Sequence, residues 1–421
     1  MTPILSAGDR AVLAGRDGPA AAMALRIVAE TARMMGAPRL IDIASVHVDG
    51  CLYHGDSGTA FVERLVADGG RVKVPTTLNV GALDLMHPDR VNFDPARRAM
   101  ARRMMDAYAA LGCAPTWTCA PYQAGHRPAR GSDVAWGESN AIVFCNSVLG
   151  ARTDRYGDFL DIAAALCGRA PYGGLHRPEN RVATVLVDAS ALSPALRAEA
   201  ALYPVLGAWL GRTVGTAIAA IEGLSGPIDE DRLKALGAAA ASSGAVGLFH
   251  VVGVTPEAPD RAAAFGGNPP REIIALTGAM LRDARAGLSS AAVRGDAAID
   301  AVAVGSPHFS LDEFAALDRL LDGRVARAPI YACTGRHVVD RLEADGRRAA
   351  LEACGVILVV DTCVVVAPIL PARGGLLMTN SGKFAHYTPA NTGYDVAYGS
   401  LADCVASALA GRLVRDESLW S

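Results

Sequence analysis

Residues 355–370 read GVILVVDTCVVVAPIL, the most apolar stretch of this 421-residue chain. It is too short to span a bilayer, which takes about 20 apolar residues. It also carries Asp361 in its middle, and a buried carboxylate is costly unless it is paired. The stretch therefore reads as a buried strand, a turn that presents Asp361-Thr362-Cys363, and a second extended piece. Working outward, similar β-branched runs at 39–48, 71–78, 182–188, 213–220, 246–253 and 298–304 read as strands. Between them lie segments of helical period at 18–36, 57–68, 95–111, 192–210, 229–243, 271–286, 311–321 and 337–353. This alternation predicts an α/β protein with largely parallel sheets. The length suggests three regions: α/β over 1–185 with most of the polar loops, a second α/β region over 186–330, and a C-terminal one over 331–421. Pro256–Pro270, rich in Pro and Gly, is the clearest irregular stretch.

Composition narrows the function. Lys plus Arg number 40 against 43 Asp plus Glu, a net charge of −3, so no global positive field is available for nucleic acid. Hydrophobic residues make up 51% and charged ones 20%, which excludes a disordered chain. The mean hydropathy of +0.24 points to a large core, a buried subunit interface, or both. Nine cysteines, an odd number, with no secretory leader in MTPILSAGDR, suggest reduced thiols or metal ligands in a soluble cytoplasmic protein rather than a disulfide framework. No dinucleotide fingerprint follows the first strand, Gly382-Lys383 lacks the rest of a phosphate loop, and no H-E-x-x-H is present.

Five polar islands interrupt the pattern, and loops at strand ends are where α/β proteins place their sites. In SVHVDGCLYHGDSG (45–58), His47, Asp49, Cys51 and His54 suit metal ligation, a proton-handling histidine, or only a turn at Asp49-Gly50. In GCAPTWTCAPYQAG (112–125), Cys113 and Cys119 sit on a loop stiffened by prolines, as ligands or as buried packing. In ESNAIVFCNSVLGARTDRYGD (138–158), an apolar run delivers Cys145, Asn146 and Ser147. Gly150-Ala151-Arg152-Thr153 follows, where backbone N–H groups and a guanidinium can meet an anion. GSPHFS (305–310) offers His308, a ligand, an acid–base group or a structural histidine. The fifth island is the Asp361-Thr362-Cys363 turn. Downstream of it, Thr379–Lys383 reads as a polar loop opening a short helix, whose N–H groups suit a carboxylate.

The runs TWTCAPYQ, ESNAIVFCNSVLGARTDRYGDFLD, GSPHFS, VVDTC and NSGKFAHYTPANTGYDVAYGSLADC together resemble the large subunit of aconitase X over nearly the whole chain. The resemblance implies an aconitase-like fold of three-layer α/β/α subdomains and an iron-dependent site. It also implies a small swivelling domain, expected here as a separate subunit. Cys145 stands where the archaeal branch has Ala, and Ser306 where that branch has Cys. This favours the branch that dehydrates cis-3-hydroxy-L-proline to Δ1-pyrroline-2-carboxylate, with mevalonate 5-phosphate or another hydroxy acid as the alternative substrate.

The implied cofactor is an iron–sulfur cluster, [2Fe–2S], on Cys119, Cys145 and Cys363, with Cys113 in reserve and mononuclear iron as the alternative. Three thiolates leave an iron position open for a departing hydroxyl. The α-proton needs a nearby base, expected from the small subunit. His47, Asp49 and Ser147 are the catalytic candidates in this chain. Asn146, Gly150, Ala151, Arg152, Thr153 and Lys383 are the candidates for binding an amino-acid substrate. A non-catalytic metal-binding paralogue and a hydrolase using Cys113 or Cys119 are the readings from other classes.

Overall fold

Val356–Val360 is the outer strand of a five-stranded sheet in the computed structural model, which describes residues 3–157, 159–290, 293, 295–371 and 374–420. The order is Val356–Val360, Ile330–Thr334, Ala301–Val304, Leu376–Thr379, Asp395–Tyr398, and every pairing is parallel. Helices on the connections cover the strands, so they read as continuous apolar runs rather than alternating ones. Val302, Val304, Ile330, Leu358 and Val360 pack with Phe309, Phe314 and Leu317 in one buried cluster, each such side chain contributing about 1.5–3 kcal/mol of burial. The second extended piece expected over 363–370 is absent. Asp361 takes φ +63, and Val366 and Ala367 both donate N–H to the Cys363 carbonyl at 3.1 Å, so the chain turns.

The chain divides into two compact units. The first holds the residues up to Leu83 and Phe93–Val182; the second holds Asp84–Asn92 and everything from Ala183 onward. The first unit has a parallel sheet in the order Thr76–Leu78, Val46–Val48, Ala135–Trp136, and an antiparallel pair of Leu40–Asp42 with Arg169–Pro171. The second unit adds to its five strands a parallel sheet in the order His250–Val251, Ala219–Glu222, Val185–Asp188, Glu272–Ala275. Strands on either side of residue 330 are neighbours in one sheet, so no boundary falls there. Asp84–Asn92 is stitched into the second unit. Asp84 accepts from Val360 N at 3.1 Å, Arg90 donates to the Leu358 carbonyl, and Asn92 N donates to Pro368 O at 2.9 Å.

Several expected elements are subdivided. The run 39–48 breaks into Leu40–Asp42 and Val46–Val48, which join different sheets. The segment 271–286 is a strand, Glu272–Ala275, followed by the helix Gly278–Ala286 capped by Thr277. The helix expected over 337–353 is two, Arg336–Ala344 and Arg347–Ala353, because Gly346 between them takes φ +71. Among the described residues no helix is long and apolar enough to cross a membrane.

Candidate active site

In the second unit the strand order reverses between Ala301–Val304 and Leu376–Thr379. The chain builds outward through Ile330–Thr334 to Val356–Val360, then returns to start Leu376–Thr379 on the other side. Ligands of open parallel sheets bind at the carboxyl ends of strands at such a reversal. The two loops there are Gly305-Ser306-Pro307 and Asn380-Ser381-Gly382, joined by a hydrogen bond from Ser381 Oγ to Ser306 O. Both loops line a cavity of about 610 Å³ that also reaches Lys234 and Glu313. Gly305 has φ +90, and a Cβ there would lie 2.1 Å from the Cys333 carbonyl oxygen, so only glycine lets the loop cross the neighbouring strand.

Beneath these loops Lys234, 1% exposed, lies 2.7 Å from Asp231 Oδ1, pairs with Glu313, and donates to His308 O at 3.3 Å. Burial pushes the Glu313 carboxyl up to about 7, against the pull of Lys234. His308 is fully buried, 3.4 Å from Thr362 O through Nε2, and burial lowers its pKa to about 3. Its imidazole is therefore neutral, held inside the loop. Lys383 is the second residue of the helix Gly382–Thr392, whose N-cap, Ser381, accepts from Phe384 N. The polar loop expected at 379–383 does open a helix. At the next strand end, Asp361 is clasped by Arg336 and accepts from Leu85 N at 3.2 Å. It presents Cys363, 7% exposed.

In the first unit the three parallel strands end at Asp49, Asn79 and Glu138. Asn79 Nδ2 donates to Asp49 Oδ1, and Glu138 caps the helix Ser139–Phe144 through Ala141 N at 2.6 Å. Asp161, which residue patterns did not single out, fixes the Asp49-Gly50 turn. Its Oδ2 accepts from Asp49 N at 2.6 Å and Gly50 N at 3.2 Å. Burial raises its pKa to about 7, although those N–H donors oppose the shift. A Cβ at position 137 would meet Asp161 Oδ2 at 2.6 Å, so glycine there lets the strand end approach the carboxyl. Cys51 is packing: its thiol points at the carbonyls of Val48 and Asn79 at 3.5 and 3.4 Å.

His47 lies mid-strand and fully buried, beside Thr77 and Trp136 on one face of the sheet. Its Nδ1 is 2.9 Å from Thr77 Oγ1, which in turn is 2.6 Å from Nδ1 of His126. Burial lowers the pKa of both rings, that of His126 to about 4. His126 went unnoticed in the sequence because nothing local links it to residue 47.

The 145–153 segment departs from expectation. Cys145 ends the helix Ser139–Phe144 and opens a π-turn that closes at Gly150 in the left-handed region. Every backbone N–H of the supposed anion nest is already used. Gly150 and Ala151 donate to Cys145 O, Arg152 to Ser132 O, and Thr153 to Asn146 Oδ1. The Asn146 amide donates to Thr153 O at 3.0 Å, and the Thr153 hydroxyl accepts from Trp136 N at 2.9 Å. Arg181, 4% exposed, ties the same turn from within, donating to Asn146 Oδ1, Asn146 O and Ala151 O. Gly150, Ala151, Asn146 and Thr153 therefore shape the loop rather than offer donors to an anion. Arg152 keeps a buried Nε without a partner among the described residues, so its guanidinium is what remains for an anion. Ser147 is buried in the π-turn.

All nine cysteines are buried thiols, and none is joined in a disulfide. Burial pushes the Cys113 and Cys145 thiols up, the opposite of what a nucleophilic thiol needs. Cys119 and Cys145 belong to the first unit and Cys363 to the second. Among the described residues of either unit, no three His, Cys, Asp or Glu side chains are grouped to hold a metal. The donor chemistry itself suits iron and sulfide: three reduced thiols, soft ligands each shielded from bulk water.

Family models for the first, second and third domains of aconitase X match residues 3–179, 183–286 and 299–410. The chain is 45% identical over 424 residues to the cis-3-hydroxy-L-proline dehydratase of Pseudomonas aeruginosa, covering 99% of this chain and 72% of that protein. It is 40% identical over 413 residues to the Hypocrea jecorina protein of the same name, covering 97% and 69%. With the phosphomevalonate dehydratase large subunit of Methanothermobacter thermautotrophicus it shares 36% over 390 residues, covering 91% and 93%. The crystal structure of Thermococcus kodakaraensis aconitase X in its holo form superimposes with a TM-score of 0.86 at 32% identity, over 96% of this chain and all of that one. The layered α/β fold and these relatives define a hydro-lyase, a dehydratase. The chain belongs to the aconitase X family.

Proposed function

We propose that this dehydratase converts cis-3-hydroxy-L-proline to Δ1-pyrroline-2-carboxylate at an iron–sulfur cluster, [2Fe–2S], held by Cys119, Cys145 and Cys363. The observation that carries the substrate is the gradient of identity. It is 45% and 40% with two proteins named for that reaction, and 36% or less with those named for phosphomevalonate. Mononuclear iron on the same thiols is the alternative cofactor, and phosphomevalonate the alternative substrate. Relatives matched over 93% and 98% of their own length are named large subunits, which supports a small swivelling-domain partner in a separate chain. Nine reduced thiols favour the cytoplasm.

When bound, the cluster supplies a Lewis acid for the departing hydroxyl, a poor leaving group on its own. The chain's own residues do the rest. Arg152 attracts the substrate carboxylate. Asp49, oriented by Asn79 and fixed through its backbone by Asp161, holds a carboxylate for proton exchange at the strand end. His47 stays neutral in its buried site and can pass a proton without becoming charged. The α-proton base is expected from the partner.

Anaerobic co-expression with the partner, followed by assay of cis-3-hydroxy-L-proline loss and measurement of iron, sulfide and visible absorption, tests the proposal. Turnover of phosphomevalonate alone would move the substrate to the other branch. Full turnover by a colourless, iron-free protein would remove the cluster.

A further inference from the structure

Two imidazoles in the first unit share one hydroxyl. Thr77 Oγ1 is 2.9 Å from His47 Nδ1 and 2.6 Å from His126 Nδ1, and 3.5 Å from the Val46 carbonyl. The other ring nitrogens, Nε2 of His47 and Nε2 of His126, are buried and have no hydrogen-bond partner among the described residues. Both rings pack against Trp136, with centroids 5.7 and 5.2 Å from the indole. His47 is wholly buried and His126 only partly so. Buried polar atoms left unpaired are rare and call for a role.

We propose that His126, Thr77 and His47 form a hydroxyl-bridged proton relay that serves the dehydration, a proposal that rests on the dehydratase reading. In one state His126 Nδ1–H donates to Thr77 Oγ1, whose own hydrogen is donated to His47 Nδ1, and His47 carries its proton on Nε2. A proton arriving at His126 Nε2 drives each bridging proton one step along, and one proton leaves from His47 Nε2. Two N–H bonds and one O–H bond re-form, both rings stay neutral, and no electrons are transferred. The reverse passage restores the first state. Dehydration takes one proton from carbon and gives one to the leaving hydroxyl, so a base filled in one turnover must be emptied before the next. The relay supplies that path, and it starts two residues before Asp49, in the strand Val46–Val48 whose end carries that carboxylate.

Ring-nitrogen NMR of histidine-labelled full-length protein with its partner, assigned with His126→Gln, tests the bridge without turnover. The relay requires complementary tautomers, one Nδ1–H and one bare Nδ1. Finding Nδ1–H on both rings, with the Thr77 hydrogen on Val46 O, would overturn it. In the active enzyme Thr77→Val should lower kcat by about tenfold or more with KM within about twofold, and Thr77→Ser should restore turnover. Unchanged kcat in a folded Thr77→Val protein also overturns the relay. Should Thr77→Val fail to fold, the tautomers and Thr77→Ser decide. Should the wild type lack dehydratase activity, the functional reading fails and the tautomers alone decide the bridge.

Discussion

Arg336 grips Asp361 through two parallel hydrogen bonds, Nε to Oδ1 at 2.6 Å and Nη2 to Oδ2 at 2.7 Å. The carboxylate is fully buried, whereas the guanidinium keeps 38% of its exposure. The sequence marked Asp361 as a charge that needed a partner; the partner comes from the start of the helix on the adjacent strand's connection. Arg336→Met would leave the carboxylate without its guanidinium partner, while Leu85 N still donates to it at 3.2 Å. The expected cost is about 2–3 kcal/mol, below the value for breaking a fully buried pair because one member is solvated. Denaturant unfolding measures it, and a loss under about 0.5 kcal/mol would mark the pair as solvent-screened.

Burial pushes the Asp161 carboxyl up to about 7 in the folded protein, against about 3.9 in the unfolded chain. Between those values the folded state holds a proton that the unfolded state has released, so this group makes stability fall as pH rises through the window and level off above it. Asp161→Asn should flatten that slope. Urea midpoints collected across the window check it, and an unchanged slope in the variant would assign the titration to another group.

Gly305→Ala places a methyl 2.1 Å from the Cys333 carbonyl at a residue with φ +90. The backbone must move, at an expected cost of about 2 kcal/mol or more. Because the same loop bonds to Ser381, turnover should fall together with the melting temperature. A variant as stable and active as the parent would show that the loop relaxes freely.

Cys145→Ser and Cys363→Ser should each lose iron and visible absorption while keeping the far-ultraviolet circular dichroism of the parent. Cys51→Ser is the control: its thiol faces the Val48 and Asn79 carbonyls, a hydroxyl can do the same, and iron content should hold. Iron retained in both of the first variants removes those thiols from the ligand set.

Much of the secondary structure could be read from local pattern. Gly18–Met34, Asp56–Ala67, Pro95–Ala110, Glu230–Ser243 and Leu311–Leu321 fall where helical period places them. Glu272–Ala275 did not, because four residues of strand abut a capped helix and the combined stretch mimics one period. Ile330–Thr334, Leu376–Thr379 and Asp395–Tyr398 escape the local pattern, and their parallel pairing within the sheet defines them. The strand-end pattern pointed to the loops that carry Asp49, His308 and Asp361. Asp161, His126 and Lys234 escaped because each acts on a residue tens of positions away, through a fold that no local spacing encodes. The anion nest at 150–153 misled for the converse reason: small residues beside Arg suggest free N–H groups, but only the folded turn shows that Asn146 and Ser132 have already taken them.

The stitching of Asp84–Asn92 into the second unit has a consequence for synthesis on the ribosome. These nine residues emerge long before Val360, whose N–H bonds to Asp84. The segment therefore waits for about four-fifths of the chain beyond it to be made before that partner exists. A cut at the Val182–Ala183 junction would separate no self-sufficient halves, since the later piece would lack the early segment that braces the strand carrying Asp361.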